Sequence, residues 1–537
     1  MNVFSTGKRS APDAPPLHSR SRSIGTFVPF EVGQVAPSVV PDCVKTHANQ
    51  KGKRASNKSM GYIVGEDRGQ EQMLPPRIEE YVGANAPVRF IDAFVEQLDF
   101  AKLKFERAVA AETGRPGYSP ADLLKLYAYG YLQRIRSSRR LEAEASRNLE
   151  VIWLLKGLRP DFKTIADFRK DNRAAFKGVL KELNLLCRKM ELFGAELVAI
   201  DGAKFKAVNS ERLHYTDEKL KELLERIDQK IEEYVTQMEQ EDEASEDVAP
   251  TPDAEALKAK IETLKTKRGR YQLFREEIAE GNATEISLTD PDSRGQKKVG
   301  IGYNVQVAVD AKYDLIVEEK VVQDANDFAQ LHPMAMAAKS ALEVESLEVV
   351  GDAGYHEAGQ LEACEQAGLT TFVPAPGTSS GKTRDGKEVY PKEAFRYDAL
   401  NDCYHCPAGQ QLERSGQGPK KEKFYKYYQN SAACRHCELR SECTTAKYRK
   451  IARLENAEVV ERQAARVAAQ PEIVRERKTI VEHVFGTLRN WNHDTFLCRG
   501  LEMVRAEFSL SALTYNLRRS LNLVGVKALI EGLNAQV

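Results

Sequence analysis

The chain has no run of 18 apolar residues, so no transmembrane helix is expected. Its amino terminus carries Ser and Arg but no apolar segment of the signal-peptide kind, so no secretory signal is expected. A charge excess is missing too. Over 537 residues, 79 Lys and Arg meet 79 Asp and Glu, so whole-chain charge names no class of partner and only local asymmetry can. A paired cysteine framework is also absent. The nine cysteines are odd in number and five lie between Cys403 and Cys443, which suits metal binding in a reducing cytoplasm better than a secreted disulfide scaffold. What remains is ordinary globular material, 42% hydrophobic and 8% aromatic, at a length that sets a prior of about three or four domains.

Residues 1–72 are rich in Pro, Ser, Gly and basic residues and carry little periodicity, so disorder is expected there. Met60 opens the segment GYIVGEDRGQEQMLPP, after which the sequence becomes orderly, and this leaves Met1 and Met60 both open as starts. Residues 73–190 read as a helical domain. Ser119 followed by Pro120 is an N-cap with proline at the first helical position, and Leu123, Leu124, Leu126, Tyr127 and Tyr131 follow at helical spacing. A helix over Leu141 to Leu155 and another from Thr164 are expected. Between Ala121 and Lys177 there are 13 Lys or Arg against 7 Asp or Glu, with Arg139 and Arg140 adjacent, so this domain is a candidate for DNA binding.

Residues 191–374 read as a mixed α/β region. It opens on an apolar run, Leu197 to Ile200, that ends on Asp201 and predicts a buried strand with the acid just past it. Inside it, residues 215–280 carry Leu220, Leu223, Leu224, Ile227 and Ile231, then Leu257, Ile261, Leu264 and Tyr271, at intervals of three and four. That spacing predicts an antiparallel helical hairpin with a coiled-coil seam. Val299 to Val309 and Leu315 to Val322 flank a turn and predict a β-hairpin. Leu347 to Val350 is a second strand that leads into Gly351-Asp352. Residues 375–450 hold the clustered cysteines, residues 451–525 read as basic and amphipathic helices, and residues 526–537 are a tail.

Asp201, Asp352 and Glu482 are the candidate catalytic acids. An acid at the carboxyl edge of an open α/β sheet sits where such sheets bind ligands. Converging carboxylates suit hard divalent cations such as Mg²⁺ or Mn²⁺. A pair of ions about 4 Å apart stabilises both the attacking and the leaving oxygen of a phosphoryl displacement. Glu482 belongs to a helical segment in which Arg475, Lys478 and Arg489 stand at offsets of −7, −4 and +7, on the acid's own face. Cations so placed can clamp DNA phosphates, and so can Lys204 and Lys206, which follow Asp201 as loop lysines.

At these residues the chain resembles the DDE transposases of bacterial insertion sequences, in the group usually labelled eleven eighty-two. The stretches that carry the likeness include GRPGYSPADLLKLYAYGYLQRIRSSRRLE, VAIDGAKFKAVNS, GIGYNVQVAVD, GDAGYH and RKTIVEHVFGTLRNW followed by CRG, in the family's order over roughly residues 73–525. The resemblance implies an RNase H-like catalytic core with inserts, an acidic triad of Asp201, Asp352 and Glu482, and two bound Mg²⁺ ions. It implies hydrolysis at the element's ends and then attack of a 3′-hydroxyl on target DNA. Related enzymes carry a Tyr-Arg-Glu-Lys signature. Here Arg475, Lys478 and Arg489 flank Glu482, so the charge pattern is kept and the tyrosine is not.

The cysteine cluster forms two CxxC pairs 27 residues apart, Cys403/Cys406 and Cys434/Cys437, with Cys443 six residues further on. Four thiolates suit a structural zinc. Both Cys403, Cys406, Cys434, Cys437 and Cys406, Cys434, Cys437, Cys443 are open as the ligand set, and His405 and His436 lie within the knuckles. The chain is therefore expected to be a transposase acting on terminal inverted repeats and target DNA, as a homodimer in the synaptic complex, in the bacterial cytoplasm at the nucleoid. Two other readings fit the same residues: an RNase H-like nuclease without transposition, and a catalytically dead relic that only binds DNA.

Overall fold

Among the described residues, six α-helices precede the first long strand, and their boundaries follow local chemistry. They are α1 (Pro87–Glu96), α2 (Pro120–Leu132), α3 (Ser138–Arg147), α4 (Leu149–Leu154), α5 (Phe162–Asp171) and α6 (Phe176–Lys189). The structure is a computed structural model that describes residues 77–109, 116–243, 252–280, 284–377, 388–420 and 423–535. The expected disorder of residues 1–72, both candidate starts, Cys43 and residues 244–251 lie outside the described residues. Ser119 does cap α2, its hydroxyl accepting from Ala121 N at 3.2 Å. The helix expected over 141–155 is two helices. Asn148 leaves the helical conformation and its side chain accepts from Glu150 N at 3.0 Å, which caps α4 anew.

β1 (Leu197–Lys206) leads to a short strand, β2 (His214–Thr216), and the helices α7 (Asp217–Glu243) and α8 (Pro252–Glu280). α7 and α8 pack on each other through Leu220, Leu224, Ile227 and Tyr271, all of the expected spacing, and through Ile278 beyond it. Then follow β3 (Glu285–Ser287), β4 (Arg294–Gln296), β5 (Gly300–Asp310), β6 (Ile316–Val322), α9 (Leu331–Leu342), β7 (Leu347–Val350), α10 (Ala358–Gln366) and β8 (Leu369–Phe372). A six-stranded mixed sheet runs β4-β5-β1-β7-β8, with β6 also on β5. Its β5 and β6 side is antiparallel, and β1, β7 and β8 run parallel.

β1 does not stop at Ile200 as expected. Pairing with β5 continues from Val198 opposite Asp310 to Lys206 opposite Gly302, and Lys206 N then donates to Asp494 O at 2.9 Å. Asp201 is therefore inside the strand, and Lys204 and Lys206 are strand residues rather than loop lysines. β5 buries every residue from Ile301 to Asp310, because helices lie against the sheet.

The region 388–454 forms a separate five-stranded antiparallel sheet, β9 (Arg396–Asp398), β10 (Cys403–His405), β11 (Gln411–Lys420), β12 (Lys423–Gln429) and β13 (Lys450–Leu454), with helical turns α11 (Ser431–Arg435) and α12 (Arg440–Cys443). β13 takes residues expected to be helical, since it closes this sheet on β12. The chain returns through α13 (Ala457–Ala469), α14 (Pro471–Asn490) and α15 (Leu501–Asn534). α14 packs on β1, β5 and β7, and α15 on α1, α2, α6 and β6, so the first helices and the mixed sheet share one core. The expected tail is largely the end of α15, which kinks at Gly525 (φ 81°).

Candidate functional site

Register brings the two aspartates together. β1 and β7 pair in parallel with Leu197 opposite Glu348 and Ala199 opposite Val350. Two residues on along each chain stand Asp201 and Asp352. β7 has ended there, so the sheet opens at that row, and the Asp352 charge is felt at Asp201. Burial, with a smaller contribution from the Asp352 charge, outweighs the opposing Arg477 guanidinium and leaves the Asp201 carboxyl raised to about 6. Asp201 Oδ1 accepts from Gly202 N at 2.9 Å, and Asp352 Oδ1 caps the next turn by accepting from Gly354 N at 2.8 Å.

Sequence reasoning passed over three residues beside this pair. Arg477 on α14 places Nη1 3.0 Å from Asp201 Oδ2. The contact is close but misaligned, for the nitrogen makes no directed hydrogen bond, so Coulomb attraction holds it. Asp327 lies on the Gly202 side of β1. Its Oδ1 accepts from Asn304 Nδ2 at 2.7 Å, Gln306 Nε2 at 2.7 Å and Lys204 Nζ at 3.1 Å. A methyl group at Gly354 would stand 2.9 Å from Asp352 Oδ1 and 3.8 Å from Asp327 Oδ2, so the two acids flank one small space. Tyr355, fully buried, donates its hydroxyl to Gln306 Oε1 and ties the turn after Asp352 to the β5 side. Arg477 had a signal: it is the one cation at the centre of the stripe formed by Ile480, Val481, Val484 and Leu488. Asp327, in a loop, had none.

Glu482 is exposed and makes no hydrogen bond or ion pair among the described residues. Five residues on from Arg477, it points roughly 140° away around the helix. Arg475, Lys478 and Arg489 are exposed with it, as their spacing predicts. Lys204 is half-buried on Asp327, while Lys206 is exposed. Arg139 and Arg140 on α3 are exposed, with the Arg139 guanidinium 4.2 Å from the Phe162 ring centroid. Trp491 is buried, packed edge-on against His493 at 5.6 Å.

The cysteines divide. Cys406, Cys434, Cys437 and Cys443 line one cavity of about 30 Å³. Cys403 is buried outside that cavity, and with Asp398 and His405 forms the one trio of described candidate ligands whose ligand atoms all lie within 4.8 Å of one another. Cys187 and Cys364 are buried in the main core, and Cys498 is buried as well. No helix among the described residues is long and apolar enough to cross a membrane.

Two family models match this chain. Residues 76–171 match "Transposase domain (DUF772)", which takes in α1 to α5, and residues 405–521 match "Transposase DDE domain", which takes in α14 and most of α15. The matches support a transposase. No curated protein matches. Among solved structures, the chain is similar to a piggyBac transposase synaptic complex with hairpin DNA at 8% identity and a TM-score of 0.27, over 85% of this chain and 80% of that one. A score that low carries no argument.

Proposed function

We propose that the chain is a DDE transposase of the insertion-sequence group labelled eleven eighty-two, which cuts DNA at the element's ends and joins the freed 3′-hydroxyl to target DNA. The shared row of Asp201 and Asp352 carries this reading. One carboxylate inside a strand and one just past the end of the neighbouring strand, at the open edge of a mixed sheet, are the donor set that Mg²⁺ or Mn²⁺ accepts, and such a sheet is what an RNase H-like core requires. Asp201 and Asp352 would hold the ions, with Glu482 as the third acid, and bound ions would neutralise charge on the attacking and leaving oxygens. The chain's own groups supply position. Gly354 N and Tyr355 fix the Asp352 turn, and Gly202 N fixes Asp201. The unpaired cations around Glu482, with Arg139, Arg140 and Lys206, offer phosphate contacts to inverted repeats and target, in a synaptic homodimer acting at the bacterial nucleoid.

One observation favours a second reading. Arg477 sits on Asp201 and Glu482 faces solvent, an arrangement that also suits a relic that binds DNA without cutting it. Strand transfer with Mg²⁺ on end-containing DNA separates the two, comparing wild type with Asp201→Asn and Glu482→Gln. Transposition predicts product from wild type alone. Equal product from all three rejects the triad, and binding without product from any supports the relic.

A further inference from the structure

The small β9–β13 sheet raises a separate question, independent of the transposase reading: what holds it together? Its buried apolar core is Phe395, Tyr404, Leu412, Tyr428 and Ile451, little for a module of its length. Modules with so small a core are usually held by a crosslink or a metal.

The cavity beside that core collects thiols from three places. Cys406 begins a tight turn, with Gly409 N donating to Cys406 O at 2.8 Å and Gly409 at φ 74°. Cys434 rides on α11, which Asn430 caps by accepting from Ala433 N at 2.9 Å. Cys437 follows that helix, and Cys443 ends α12. A second feature lies on the same wall. Arg449 anchors the module by donating to Cys443 O at 3.0 Å and Tyr390 O at 3.1 Å, yet its buried Nε–H has no partner among the described residues. A buried unpaired donor is costly. A thiolate is an acceptor it would satisfy, and its charge would offset part of the negative charge of four thiolates around a divalent ion.

We propose that Cys406, Cys434, Cys437 and Cys443 bind one structural zinc ion, and that Cys403 takes no part. Four thiolates give the closed tetrahedral set of a structural site, about 2.3 Å from the metal, so the side chains turn inward from the cavity wall on binding. The rival trio is poorer. Asp398 already accepts from Leu400 N at 3.0 Å and Asn401 Nδ2 at 2.8 Å, which makes it a turn former, and one thiol, one imidazole and one carboxylate leave a fourth position open.

The test is metal content of the purified full chain. Wild type is expected to carry about one zinc per chain, as is Cys403→Ser, whereas Cys434→Ser and Cys437→Ser lose it. If those variants prove insoluble, wild type exchanged with Co²⁺ decides the matter: four thiolates give strong sulfur-to-cobalt charge-transfer absorption and a tetrahedral d–d band. Absence of bound zinc together with no cobalt uptake overturns the proposal. So does a single-thiolate cobalt spectrum, or loss of metal from Cys403→Ser with retention in Cys437→Ser.

Discussion

Arg477 Nη1 stands 3.0 Å from Asp201 Oδ2, on a helix whose exposed face carries Glu482. Asp201 and Arg477 stand more than two hundred residues apart in the chain, and α14 meets β1 through this pair and the apolar residues around it. A guanidinium there lowers the cost of burying Asp201.

Replacing Arg477 with Ala should therefore do two things. Stability should fall by about 1–3 kcal/mol, because Asp201 stays largely buried without a compensating charge. Pairing the change with Asp201→Asn should recover much of that loss. Urea unfolding of the two single variants and the double variant measures the coupling; strictly additive losses would show that the contact contributes nothing.

Asp327 and Glu482 compete as the third acid beside Asp201 and Asp352. If Glu482 swings in to complete the site, Glu482→Gln should abolish strand transfer, while Asp327→Asn should cost about 10–100-fold, the usual loss when a supporting group next to a metal site is changed. Asn keeps an oxygen to accept from Asn304, Gln306 and Lys204, so the fold should survive. Strand transfer titrated with Mg²⁺ reads both. Abolition by Asp327→Asn with a mild effect of Glu482→Gln would reverse the assignment.

Gly202 and Gly486 should respond to alanine in opposite directions. A Cβ at Gly202 would lie 2.4 Å from Gln306 Nε2, 2.7 Å from Asp327 Oδ1 and 3.2 Å from Asn304 Oδ1, all members of one buried network. Overpacking of that kind costs about 1–3 kcal/mol. Gly486 lies exposed inside α14 with nothing within 4 Å of its would-be Cβ, so alanine should stabilise by about 0.5–1 kcal/mol through helix propensity. Denaturant midpoints test both signs. A neutral Gly202→Ala would mean that the polar network yields more easily than its distances suggest.

The aspartates were legible because each ends an apolar run, which is a local property. Their common row was not, since register between β1 and β7 is set across more than a hundred residues of intervening chain. The length of β1 was hidden for the same reason: Gly202 to Lys206 looks polar and loop-like, yet β5 pairs with all of it. On α14, helical spacing correctly grouped Arg475, Lys478, Glu482 and Arg489, but periodicity alone does not say which face meets the sheet. The buried stripe answers that, and it points at Arg477. Cysteine spacing left two ligand sets open. The shared cavity separates Cys443 from Cys403, because β10 carries Cys403 onto the side of Asp398.

His493 should make the protein acid-sensitive. It is buried between the rings of Tyr131, at 5.5 Å, and Trp491, at 5.6 Å, and neither ring nitrogen has a hydrogen-bond partner among the described residues. Burial, reinforced by the charges of Arg136 and Arg134, pushes its pKa down to about 3. An unfolded histidine takes up its proton near pH 6.5, whereas the folded one stays neutral until about pH 3. The contribution is therefore complete above pH 6.5 and is lost as pH falls from there toward 3, at up to about 1.4 kcal/mol per pH unit. His493→Phe keeps a ring in the slot and removes the proton. Between pH 7 and pH 5 the wild type should lose about 2 kcal/mol more than the variant in urea unfolding. Carboxylates titrate equally in both proteins, so they cancel from that difference. Equal losses would mean that the folded imidazole is protonated as readily as the unfolded one, through an opening that admits water between the two rings.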